Sequence, residues 1–186
     1  MMNMKKIVLG AVALVSSLAL VACGSSDSAT KSDNWSTYES EKSITIGFDK
    51  TFVPMGFEQT DGSYTGFDID LANAVFEKYG ITVEWQPIDW DLKETELTNG
   101  NIDLIWNGYS ITDERKDKVL FTNPYMDNQQ VLVTKKSSNI SQVSDMKDKV
   151  LGAQAGSSGY SVFEGQPAFL KDIVQNNDAS QYATFN

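Results

Sequence analysis

The residue with the most chemistry to offer is Arg115, in the run Asn107-Gly108-Tyr109-Ser110-Ile111-Thr112-Asp113-Glu114-Arg115. Thr112 is a good helix N-cap, and Asp113 and Glu114 suit a first turn, where the helix dipole favours acids. Arg115 then sits on the first turn of a short helix, just past an apolar run that reads as a strand. A guanidinium there can make two parallel bonds to a carboxylate, and backbone N–H groups around Ser110 can serve the same anion. Taken alone, the pattern also suits an ordinary surface charge on a helix. Two acidic pairs, Asp68/Asp70 and Asp89/Asp91, raise acid–base or calcium chemistry, but neither has the D-x-D-x-D-G spacing. The first pair reads as solvent-facing helix residues and the second as polar flanks of Trp90.

Composition narrows the classes further. The chain has no histidine and one cysteine, Cys23. Ser-His-Asp and Cys-His catalysis, His-ligated metals, cysteine clusters and internal disulfides are therefore excluded within it. No metal and no cofactor is expected. With 25 acidic against 15 basic residues, the net charge of −10 argues against nucleic acid as a partner. Hydrophobic residues at 41% and charged ones at 22% describe a globular chain.

The elements that must position Arg115 alternate. Residues 43–48 (SITIGF) place Ile44, Ile46 and Phe48 on one face, which predicts a strand. Residues 66–79 carry Ile69, Ala72, Phe76 and Tyr79 at helical spacing, with Gly80 as the stop. Strands follow at 81–85, 102–106, 131–134 and 150–153, with a short helix at 92–97. This order predicts an α/β fold with a largely parallel sheet, in which ligands bind at the carboxyl ends of strands.

The N-terminus reads as an export signal. Lys5 and Lys6 precede an uncharged run over 7–22, shorter than the roughly 20 apolar residues of a membrane span. It ends Leu20-Val21-Ala22-Cys23, which resembles a bacterial lipobox and implies lipidation of Cys23. Residues 24–43 are rich in Ser, Thr, Asp and Lys and read as a solvated tether.

The stretches GFDKTFVPMGF, GSYTGFDIDLANAV, NGYSITDERKDKVLFTNPY and GAQAGSSGY together resemble the solute-binding proteins for polar amino acids, family 3 of the bacterial ABC importers. The third carries the G-x-x-x-T-x-x-R…F-[ST]-x-P-Y signature. The resemblance implies a periplasmic-binding-protein-like fold of two α/β lobes joined by a two-strand hinge. Lobe 1 would occupy 44–134 and be mostly present; 135–186 would hold the hinge and an incomplete lobe 2. Complete members run on past this chain's end, so a fragment with poor affinity and no closure is the expectation.

By position, the resemblance implies that Arg115 grips the ligand's α-carboxylate, assisted by Ser110 and by the N–H of Ser157. It implies that Gly108, next to Asn107, accepts from the α-ammonium through its carbonyl. Phe52 and Trp90 would enclose the side chain, Asp49 would touch its polar head, and Gln154 would line the mouth. Each has a plainer alternative: core aromatics for Phe52 and Trp90, a turn cap for Asp49, and a simple loop for residues 156–159. The implied ligand is a polar amino acid of the glutamine, cystine, arginine or histidine class. The implied partners are an ABC permease and ATPase, with the protein a monomer, lipid-anchored on the outer face of the cell membrane. A prephenate- or arogenate-type dehydratase and a sensor domain share this fold and stay open as rivals.

Overall fold

The computed structural model describes residues 33–185. Residues 1–22, read above as an export signal, and Cys23, read as a lipidation site, lie outside the described residues. Three parallel strands form the central sheet: β1 (Ser43–Phe48), β5 (Thr82–Pro87) and β6 (Leu104–Ile105), in the order β5-β1-β6. In β1, Ile44, Ile46 and Phe48 are buried, as the alternation predicts. Gly47 lies opposite Ile105 in the register, and a Cβ on it would press to 2.5 Å from Ile102 Cδ1. A larger residue would push Ile102 out of the core. Between β1 and β5 run three short antiparallel strands, β2 (Thr51–Phe52), β3 (Gly56–Glu58) and β4 (Tyr64–Thr65).

Helix α2 (Phe67–Glu77) buries Ile69, Ala72 and Phe76 against this sheet. Its N-cap, Gly66, has φ +128, and a Cβ there would overlap the Met55 carbonyl. That carbonyl instead receives the Asp68 N–H at 2.8 Å, while Pro54 O receives the N–H of Phe67 at 3.1 Å. The loop after β2 is thus pinned to the helix start. A 3-10 turn over Trp90–Leu92 leads into α3 (Lys93–Thr98), and α4 (Asp113–Lys116) follows β6. The second lobe contains β7 (Leu151–Gln154), α5 (Ser158–Gly165), a π-helical turn over Pro167–Lys171 and β8 (Ala179–Tyr182), which pairs parallel to β7. Met146, Phe163, Leu170, Val174 and Ala179 form its small core.

Three expectations are corrected. The segment read as a tether contains a helix, α1 (Trp35–Glu41). Trp35 and Tyr38, three positions apart, pack on the Ile44–Ile46 cluster, and Tyr38 Oη donates to Asp103 Oδ1 at 3.0 Å. Residues 131–134, read as a strand, have no ladder partner among the described residues, and neither does the rest of 121–134. Val131 and Val133 are 75% and 84% exposed, so β propensity had no neighbouring strand to act through. Asp68 faces inward and is fully buried: Tyr125, 57 residues on, donates its hydroxyl to Asp68 Oδ1 at 2.7 Å. Arg115 is likewise buried, so the alternative of an ordinary surface charge on a helix falls. No described helix is long and apolar enough to cross a membrane.

Candidate functional site

The carboxyl ends of the parallel strands converge, and the implied site residues sit on them. Asp49 follows β1, Trp90 follows β5 by two residues beyond Ile88, Asn107 follows β6, and Gln154 ends β7. Between the lobes lies a cleft of about 720 Å³, lined by Phe52, Trp90, Asn107, Gly108, Arg115, Gln154 and Ser157. Ser110 and Asp49 stand immediately behind that lining and touch it through Arg115 and Gln154. The structure therefore brings together all nine implied residues. The cleft continues into an apolar region of the second lobe, past Val131, Val133 and Phe169.

Thr112 forms the predicted cap, its Oγ1 accepting from Arg115 N at 3.2 Å. This turn directs the Arg115 side chain inward, where it is 6% exposed. The guanidinium lies 4.5 Å from the centroid of the Tyr109 ring. Nη1 donates to Ser110 O at 2.9 Å and Nη2 to Gly156 O at 3.0 Å. No acid forms an ion pair with Arg115 among the described residues. A buried cation satisfied by carbonyls alone is poised for an anion, because buried charges are ordinarily paired.

Trp90 is held by its own turn, in which Asp89 Oδ1 accepts from Asp91 N at 3.2 Å. Its ring meets Tyr109 edge-on at 5.6 Å. Phe52 covers the Gly108 backbone so closely that a Cβ there would overlap the ring. Asp49 takes the turn-cap role and also bonds across the cleft. Oδ1 accepts from Thr51 N and Oγ1 at 2.8 and 2.7 Å, which caps the turn, and Oδ2 accepts from Gln154 Nε2 at 2.6 Å across the cleft. Asn107 is buried, with Oδ1 accepting from Asp49 N at 3.4 Å and its carbonyl from Tyr125 Oη at 3.2 Å. Ser110 Oγ accepts from Asn128 Nδ2 at 2.7 Å. Ser157 caps α5, its hydroxyl accepting from Tyr160 N at 3.1 Å. Its N–H is drawn toward Gln154 O at 3.3 Å, so the first-turn N–H groups that follow are the better placed anion donors.

Several neighbours of the site are not named by the sequence patterns. Tyr109 donates to Glu94 Oε1 at 2.7 Å, and burial followed by that bond pushes its hydroxyl far up from the ordinary range. Burial alone would raise the Glu94 carboxyl, but Tyr109 and the Lys93 ammonium overcome it and hold it low. Phe185 stands 5.2 Å from Phe52, ring to ring, and walls the cleft mouth. The one available signal was Tyr109 beside the Arg115 motif; Phe185 comes from a distant segment and had none.

The family described as bacterial extracellular solute-binding proteins, family 3, matches residues 44–184. The arginine-binding extracellular protein ArtP of Bacillus subtilis is 35% identical over 154 residues, which cover 83% of this chain and 57% of ArtP. A probable histidine-binding protein of Neisseria gonorrhoeae is 31% identical over 189 residues, covering 92% of this chain and 68% of that protein. A solved ABC uptake transporter substrate binding protein from Streptococcus pneumoniae, with bound histidine, is 73% identical with a TM-score of 0.82. That match covers 84% of this chain and 64% of the pneumococcal one. The ancestral amino acid-binding protein AncCDT-1, a precursor of cyclohexadienyl dehydratase, is 30% identical with a TM-score of 0.71, over 82% of this chain and 66% of its own. This chain thus spans about three fifths of the length of ArtP and of the pneumococcal protein. The fold is periplasmic-binding-protein-like α/β, with most of one lobe and part of the second.

Proposed function

This chain belongs to the bacterial extracellular solute-binding proteins, family 3, and on that footing we propose that it captures a polar amino acid outside the membrane for an ABC permease and its ATPase. The observation that carries the reading is the buried Arg115, whose guanidinium meets two carbonyls and the Tyr109 ring but pairs with no acid among the described residues. An α-carboxylate supplies the missing negative charge, with Ser110 and the Ser157 turn as helpers. Phe52 and Trp90 exclude water around the side chain, and the Gly108 carbonyl receives the α-ammonium. Asp49, Asn107 and Gln154 make the remaining wall polar, which suits glutamine, cystine, arginine or histidine. The binding of histidine in the pneumococcal structure and the name of ArtP support this class.

The proposal extends to the ends of the chain. Residues 1–22 are an export signal and Cys23 carries the lipid that keeps the domain at the outer face of the cell membrane. Residues 44–134 form lobe 1, and 135–186 the hinge and part of lobe 2. The protein acts as a monomer and is not an enzyme. A dehydratase reading has the likeness to AncCDT-1 in its favour; turnover of prephenate or arogenate would establish it, and none is expected. The direct test is calorimetric titration of the 186-residue chain with L-histidine, L-arginine, L-glutamine and L-cystine, beside L-leucine and glucose. Weak binding of a polar amino acid is expected, since the chain spans about three fifths of the length of ArtP. Preference for leucine or glucose, or no binding at all, overturns the reading.

A further inference from the structure

Lys93 begins α3, yet it is 2% exposed, less than Arg115. Its Nζ donates to Trp90 O at 3.0 Å and lies 3.2 Å from Glu94 Oε2, both within its own lobe. The third donor crosses the cleft to Gly156 O, also at 3.0 Å, 63 residues away. An ammonium has three N–H donors, so all three are used only while the lobes touch. The same Gly156 carbonyl accepts from Arg115 Nη2 at 3.0 Å. Gly156 has φ +64, and a Cβ on it would lie 2.7 Å from Asp91 Oδ1 and 2.9 Å from Asp91 Cα. The turn before α5 therefore sits flush against the turn that carries Trp90, and a side chain at 156 has no room. Unlike Arg115, Lys93 does not line the cleft.

We propose that Lys93 is a positioning residue that latches the Gly156 turn of the second lobe onto the first, closing the cleft from behind. The need for a partner is strong, because an enclosed ammonium without full hydrogen bonding is costly. Burial already pushes its pKa down, with Glu94 opposing. The latch touches no ligand atom, so it raises affinity for every ligand alike and leaves selectivity to the cleft walls. This last consequence rests on the proposed amino-acid site; the latch does not.

The test separates the two. In the ligand-free 186-residue chain, amine acetylation read by mass spectrometry should modify Lys93 more slowly than the exposed Lys116 by at least about tenfold, the signature of a closed equilibrium. Gly156→Ala should bring Lys93 close to the Lys116 rate while Lys116 itself is unchanged. Lys93→Met, which does not depend on Gly156→Ala folding, should enlarge the radius of gyration in small-angle scattering of the ligand-free chain. In titrations with L-histidine, L-arginine and L-glutamine, Lys93→Met should weaken each by one common factor of roughly 10- to 100-fold, the worth of a hydrogen bond to a charged group. Lys93 still protected in a folded Gly156→Ala variant, or an unchanged radius in Lys93→Met, overturns the latch. Should the wild-type chain bind none of the three amino acids, the proposed function falls, while the labelling and scattering still decide the latch.

Discussion

Arg115→Ala is the sharpest perturbation of the proposed site, and the structure assigns it two separable costs. The first falls on affinity. Removing one partner of a desolvated, hydrogen-bonded charge pair costs about 2–5 kcal/mol. At about 1.4 kcal/mol per tenfold, that is a loss of roughly 30- to several-thousand-fold in binding of L-histidine or L-arginine. The second cost falls on the fold, because the side chain is buried on Tyr109 and satisfies the carbonyls of Ser110 and Gly156. Two charge-assisted bonds at about 1.5–3 kcal/mol each bound that loss at roughly 3–6 kcal/mol, less what water recovers in the space left behind. A drop in melting temperature of about 5–15 °C follows for a chain of this size. Arg115→Lys should regain part of the stability but little of the affinity, since a point charge lacks the planar fork. Calorimetric titration beside a melting curve reads both. Near-wild-type affinity in a folded Arg115→Ala variant would refute the carboxylate site, and unchanged melting would refute the structural role.

Three further outcomes are expected. Gly108→Ala should displace the Phe52 ring and weaken amino-acid binding by at least about tenfold with little change in melting, as titration and a melting curve would show. Asp68 has its pKa raised by burial, with the Tyr125 bond opposing. Its contribution is therefore fully present below the unfolded carboxyl value of about 3.9 and is lost as pH rises through the higher folded value. Asp68→Asn should accordingly gain in melting temperature relative to wild type between pH 4 and pH 7; a pH-independent difference would contradict this. Cys23→Ala should abolish metabolic lipid labelling and release the protein from the membrane, and persistent labelling would rule out the lipobox.

Local pattern was enough for a large part of this protein. The alternation in SITIGF, the 3.6-residue spacing over 66–79 and the cap at Thr112 depend on neighbours within a turn or two, and β1, α2 and α4 stand where those patterns put them. Eight of the nine site residues fall in three of the resembling motifs, which follow β1, follow β6 and span the end of β7; Trp90, after β5, lies outside all four. What the chain could not disclose locally is where its charges end. Asp68 and Asp70 look alike in sequence, yet Tyr125 arrives from 57 residues away and encloses only Asp68. The local pattern at Arg115 also suits a surface charge until Tyr109 and the Gly156 turn cover it, and nothing local marks Lys93, which the same turn encloses. Trp35 and Tyr38 sit in a polar, tether-like composition, and only the exposed flank of the Ile44–Ile46 cluster makes a helix of them. The reverse holds at 131–134, where VLVT has every propensity for a strand and no partner to pair with. Burial and strand pairing are relations between distant segments, so they exist only once the chain has folded.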